Sequence, residues 1–220
     1  MYLGDPTFLL VVPALILAFY AQARVKGAYR KYSQVFASSR ISGAEAARQL
    51  LQTAGAGEVT IEQVPGQLTD HYDPRKKVLR LSQGVHGSAS IAALGIAAHE
   101  TGHAIQHHTH YRPMALRSVI YPVASIGSTL AFPLFFAGLI FNSASTKFLM
   151  DIGILLFTGA VAFSVVTLPV EFNASKRALA LLQERRFLTP GEMVGARKVL
   201  SAAALTYVAS TAMAAIQLLR

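Results

Sequence analysis

Hydrophobic positions in this chain fall into two patterns. Four runs are long and almost unbroken, while the region between the first and second carries shorter, periodic patterns. The long runs lie at about Phe8 to Ala23, Ser118 to Phe141, Ile152 to Val170 and Leu200 to Leu219. Each approaches the ~20 residues a helix needs to cross the hydrocarbon, so the pattern predicts about four transmembrane helices. The fourth run, LSAAALTYVASTAMAAIQLL, is rich in Ala and Ser. It suits packing on other helices better than contact with lipid, and a helix lying on the surface is its alternative.

The periodic region predicts smaller elements. The first helix is expected to continue past Arg24 as a polar helix and to stop near Ser38-Ser39. Ser42-Gly43-Ala44-Glu45 has the S-x-x-E spacing of a capping box and opens a helix, AEAARQLLQTA, that should end at Gly55-Ala56-Gly57. Two short strands follow, roughly Glu58 to Val64 and Lys77 to Leu81, each with β-branched residues in partial alternation. Between them sits a polar turn, Leu68 to Pro74. The second strand, VLRLS, is expected to offer a free edge to an extended peptide. After Gly84 and Gly87, Ser88 or Ser90 can cap a long helix through His108. Further on, Thr189-Pro190-Gly191-Glu192 reads as a second capping box with Pro at its first helical position.

Composition supports the membrane reading. Of 220 residues 53% are hydrophobic and 14% charged, with mean hydropathy +0.42; soluble domains carry about 25% charged residues. The net charge of +9 raises nucleic acid as a partner. However, no basic patch is interleaved with aromatic residues as single-strand binders require, and Lys and Arg border the apolar runs instead. The segment 24–117 carries 12 Lys/Arg and 171–198 carries 6, whereas 142–151 has only Lys147. By the positive-inside rule both basic segments face the cytoplasm. Ala21-Gln22-Ala23 resembles a signal cleavage site, but Asp5 precedes the first run and Arg24, Lys26, Arg30 and Lys31 follow it. That order favours an uncleaved anchor with its N-terminus outside. The predicted division is therefore an anchor over 1–23, a cytoplasmic segment over 24–117, two transmembrane helices over 118–170, a second cytoplasmic segment over 171–198, and a last transmembrane helix over 199–220. With no cysteine, disulfides and thiolate ligands are excluded.

The chemistry concentrates at AAHETGHAIQHHTH, residues 97–110, which holds five of the seven histidines. His99-Glu100-Thr101-Gly102-His103 is HExxH. Residues four apart share a helix face, so both imidazoles can reach one Zn²⁺ while Glu100 sits beside a metal-bound water. Chance produces the motif roughly once in a hundred chains of this composition. The competing reading is a histidine-rich surface helix without metal.

The third ligand must come from elsewhere. His107 lies two turns beyond His99, an advance of about 12 Å, and His108 faces away. The spacing HExxHxxGxxH fails at Gln106 and Thr109, with His110 one residue out of place. Acids remain. Glu192 is used by its capping box and Glu184 lies in a solvated QERR run. Glu171 directly follows the apolar VVTLPV stretch, where a charge is costly and usually functional. Its alternative is an interfacial pair with Lys176 or Arg177. The expected set is His99, His103 and Glu171, on the same side of the membrane.

At these residues the chain resembles the bacterial membrane-embedded neutral zinc metallopeptidases (YugP-like). The blocks that carry the resemblance are LTDHYDPRKKVLRLS (68–82), AAHETGHAIQH (97–107) and TLPVEFNASKRAL (167–179). It implies one zinc per chain on His99, His103 and Glu171, with Glu100 as the catalytic residue. The expected fold is a mainly α membrane protein of about four spans with a small α+β, zincin-like cytoplasmic domain around the HExxH helix. A more distant similarity to gluzincin-type membrane peptidases implies an Asp four residues after the ligand Glu. Here that position is Ser175, so Ser175, Asn173 or another group must orient the ligand histidine.

The expected activity is hydrolysis of peptide bonds in peptides or membrane proteins at the cytoplasmic face of the bacterial inner membrane. Glu100 acts as general base, and His71, Tyr72 or Arg177 as oxyanion donor, with His71 and Tyr72 favoured. An inactive or structural zinc-binding scaffold is the alternative. A zinc hydrolase acting on a non-peptide amide is a third possibility.

Overall fold

The computed structural model describes residues 8–141 and 146–220. The expectations placed on Asp5 and on the start of the 142–151 connection lie outside the described residues. In chain order the elements are α1 (Phe8–Tyr32), α2 (Gly43–Thr53), β1 (Thr60–Val64), β2 (His71–Asp73), β3 (Val78–Ser82), α3 (Gln83–His86), α4 (Ile91–His108), α5 (Arg112–Phe141), α6 (Lys147–Glu184) and α7 (Pro190–Leu219). Four of these helices, α1, α5, α6 and α7, are long and apolar enough to cross a membrane.

The chain forms two compact units. Of the described residues, the first comprises 8–19, 112–141, 146–169 and 207–220; the second comprises Tyr20–Tyr111 and Val170–Thr206. In the first unit large apolar side chains point outward, including Val119, Ile140 and Leu155, each at least 70% exposed. Small residues point inward. A Cβ on Gly153 would lie 2.7 Å from the Ala131 carbonyl oxygen, so α5 and α6 meet backbone to backbone there. Small residues inside and large apolar ones outside is how helices pack when the surroundings are lipid.

The second unit is built around α4, which is apolar on nearly every side. Ile91, Leu94 and Ala98 join Leu50 of α2, Ala178 and Leu182 of α6, and Met193, Ala196 and Leu200 of α7 in one cluster. Ala93, Ala97 and Ala104 join Leu51, Val59, Leu79 and Leu81 in another, over the sheet. A helix hydrophobic all round is a buried helix, and this one has a core on each side.

Several expectations need correction. α1 stops at Tyr32, about a turn and a half before Ser38-Ser39, because the chain after it is used elsewhere. Ile91 N–H donates to the Val35 carbonyl and Ala37 N–H to the Ala89 carbonyl, both at 2.9 Å, so this stretch pairs with the entrance of α4. The polar turn contains a third strand, β2. The sheet order is β1-β3-β2. β3 pairs in parallel with β1 from Thr60↔Val78 to Val64↔Ser82, and antiparallel with β2 from His71↔Arg80 to Asp73↔Val78. VLRLS therefore has no free edge. Past β2, its Ser82 N–H is taken by the Asp70 carboxylate at 2.7 Å.

The caps follow the sequence more closely. Ser42 Oγ accepts from Glu45 N–H at 3.2 Å. Glu45 itself turns to Arg48 and Gln49, so only half of that capping box forms. Ser90 caps α4 by accepting from Ala93 N–H at 3.1 Å. The second box is complete, because Glu192 accepts from Thr189 N–H at 2.8 Å and its own N–H reaches Thr189 Oγ1 at 3.4 Å. Glu192 also accepts twice from Ser38.

Candidate metal centre

The site depends on how closely α4 and α6 approach within the second unit. Gly102 makes that approach possible, because a Cβ there would lie 2.8 Å from the Ala174 carbonyl oxygen. His99 and Glu171 each stand about a turn before this contact, and His103 directly follows Gly102. His99 Nε2 lies 3.2 Å and His103 Nε2 3.5 Å from the same Glu171 oxygen, Oε2. The two imidazoles meet edge to face, their centroids 4.8 Å apart and their planes at 86°. Glu171 is only 2% exposed. It sits inside α6 rather than beyond its end, two residues after Pro169, and the helix continues to Glu184.

His99, His103 and Glu171 are the one group among the described residues that could hold a metal ion, each offering an atom within 4.8 Å of the others. Ligands at about 2.0–2.2 Å from a tetrahedral zinc lie about 3.4 Å from one another. Separations of 3.2 and 3.5 Å from the carboxylate to each imidazole fit that requirement. The outward nitrogens are also held. Ser175 Oγ lies 3.1 Å from His99 Nδ1 and Gln106 Oε1 lies 3.1 Å from His103 Nδ1. The position where the gluzincin-type pattern has Asp therefore still contacts a ligand histidine, through the shorter serine. The Gln106 contact was not anticipated. Its signal was a glutamine three residues after His103, on the same helix face.

Glu100 is partly exposed beside the group. Loss of hydration pushes its carboxyl up to about 7; His99 opposes this, while Glu171 and Asp70 reinforce it and His71 opposes.

The other residues singled out from the sequence have different partners. His71 Nδ1 hydrogen-bonds the Thr69 carbonyl at 2.9 Å and its Nε2 lies 3.4 Å from Arg80, so both ring nitrogens are engaged. The Tyr72 hydroxyl lies 2.9 Å from His107 Nδ1. Burial, aided by Glu58 and Asp73, pushes the phenol up to about 12, so it keeps its proton. Burial and Lys77 push His107 down. Arg177 donates from Nε to Asn173 Oδ1 at 2.8 Å and lies over the Tyr111 ring. His108 lies 3.6 Å from Glu58, and His110 stands past the helix end with φ 51°. Glu184 is exposed.

The chain thus combines helices long and apolar enough to cross a membrane with a largely buried set of two imidazoles and a carboxylate that could hold a metal ion. Residues 7–220 match the family described as "Putative neutral zinc metallopeptidase", and the chain belongs to that family. It is 47% identical over 211 residues to "Putative membrane protease YugP" of Bacillus subtilis (strain 168), an alignment covering 96% of this chain and 92% of that one. No solved structure matches.

Proposed function

We propose that this chain is a zinc metalloendopeptidase of the bacterial cytoplasmic membrane. In this reading it binds one zinc on His99, His103 and Glu171 in a zincin-like domain facing the cytoplasm, with the N-terminus outside. The observation that carries the reading is the donor set itself. Structural zinc sites normally close with four protein ligands, whereas catalytic ones use three and leave a position open; here the group has three. A zinc ion in such a site supplies a Lewis acid and a water acidic enough to attack a carbonyl at neutral pH.

The protein's own groups do the rest. Glu171 neutralises part of the cation's charge, and the two Nε2 lone pairs complete the set. Glu100, directly beside the first histidine, would remove a proton from the attacking water and return it to the leaving amine. The oxyanion donor comes from His71, Tyr72 or Arg177. The single variant among these that lowers kcat with KM unchanged identifies it.

Substrates are peptides or membrane proteins, and nucleic acid has no part. The second reading, an inactive or structural zinc-binding scaffold, predicts zinc without hydrolysis. Zinc per chain in detergent-purified protein tests the site. The expected result is near one zinc in wild type and a sharp loss in Glu171→Ala. Equal zinc in both moves the third ligand elsewhere, and no zinc in wild type removes the peptidase reading.

A further inference from the structure

Three buried or half-buried side chains outside the proposed ligand set run in one hydrogen-bonded line from Arg177 to His103. Arg177 Nε donates to Asn173 Oδ1 at 2.8 Å. A guanidinium can only donate, so the oxygen of the Asn173 amide must face it. The same oxygen receives Gln106 Nε2–H at 2.9 Å, and Gln106 Nε2 also donates to the Val170 carbonyl at 2.8 Å. Gln106 is 0% exposed, so water cannot replace these partners. Both acceptors lie on the Nε2 side, which leaves Gln106 Oε1 facing His103 Nδ1 at 3.1 Å. An amide oxygen can only accept, so Nδ1 carries the hydrogen and the Nε2 lone pair is left for the centre.

Gln106 also joins the two helices that carry the donors. Its oxygen holds the ring of His103 on α4, and its amide nitrogen holds the backbone of α6 at the residue before Glu171. Ser175 does not do this for His99, because a hydroxyl can donate or accept and fixes neither polarity nor spacing.

We propose that Gln106, oriented by Val170 and by the Arg177–Asn173 pair, is a positioning residue that sets the His103 tautomer and the His103–Glu171 spacing for zinc. This rests on the zinc-peptidase reading above. Partners of this kind, which orient a ligand from outside the ligand set, typically contribute about 10- to 100-fold in metal affinity.

The test is zinc affinity, measured by competition with a chromophoric chelator on detergent-purified protein, together with the visible spectrum of the cobalt-loaded form. The spectrum reads the ligand geometry, which a change in general stability does not move. Gln106→Met, close in shape but without hydrogen bonds, is expected to bind zinc about 10- to 100-fold more weakly with an altered cobalt spectrum. Asn173→Asp keeps an acceptor oxygen for both Arg177 and Gln106 and should match wild type. Asn173→Leu should weaken binding about tenfold.

A folded Gln106→Met protein with wild-type affinity and spectrum overturns the inference. If Gln106→Met does not fold, equal affinities in Asn173→Asp and Asn173→Leu overturn it instead. Absence of zinc from wild type is a different failure, because it removes the metal site and this inference with it.

Discussion

The proposed chemistry turns on Glu100, and its two expected behaviours separate cleanly. Glu100→Gln should leave zinc content unchanged and reduce hydrolysis by about 10²-fold or more. Full activity in that variant contradicts the assigned role. The same substitution has an effect on stability. Loss of hydration pushes the folded carboxyl up to about 7 from an ordinary 4.5, so the metal-free fold binds that proton more tightly than the unfolded chain does. The stability this group contributes is present below about pH 4.5 and is lost as the pH rises to about 7. The loss is on the order of 3 kcal/mol. With chelator present, Glu100→Gln should therefore melt at a higher temperature than wild type at pH 8 and at a similar temperature at pH 5. Identical melting curves at pH 8 contradict the burial argument.

Among the elements, the contact between α4 and α6 matters most. Gly102 is the second variable residue of the two-histidine motif, and a side chain there would meet the Ala174 carbonyl oxygen at 2.8 Å. Gly102→Ala should push the helices apart, costing about 1–3 kcal/mol and weakening zinc binding. Gly57→Ala, at an open position with nothing within 4 Å, should change neither; melting and chelator competition compare the two. This contact also marks how much the sequence disclosed. His99 and His103 are readable because a helix converts a spacing of four into adjacency. Glu171 is readable because a charge at the end of an apolar run needs a reason to be there. Gln106 passed only as a mismatch to another spacing, since nothing in one sequence says which backbone its amide will meet 64 residues away. Two of the three strands were located, but neither the third nor the pairing order was. Alternation tells which face a strand buries, not which neighbour it takes, and β2 is three residues of a polar stretch.

For the whole molecule, the proposed topology has an unusually clean test because the sequence contains no cysteine. Single cysteines at Lys147 and at Lys76, both exposed, can be probed in intact cells with a membrane-impermeant thiol reagent. Position 147 should label from outside, and position 76 only after lysis. The reverse pattern inverts the orientation. Another expectation comes from the two apolar clusters flanking α4, which are complete without any ion. Small metal domains that lack a core unfold when stripped, but this one has its own core. Chelation should abolish hydrolysis while leaving helical circular dichroism intact, and added zinc should restore activity without refolding. On the proposed function, synthesis and membrane insertion would be separate events from activation, and the chain would persist in the membrane as an intact, silent protein whose working fraction follows the supply of the ion.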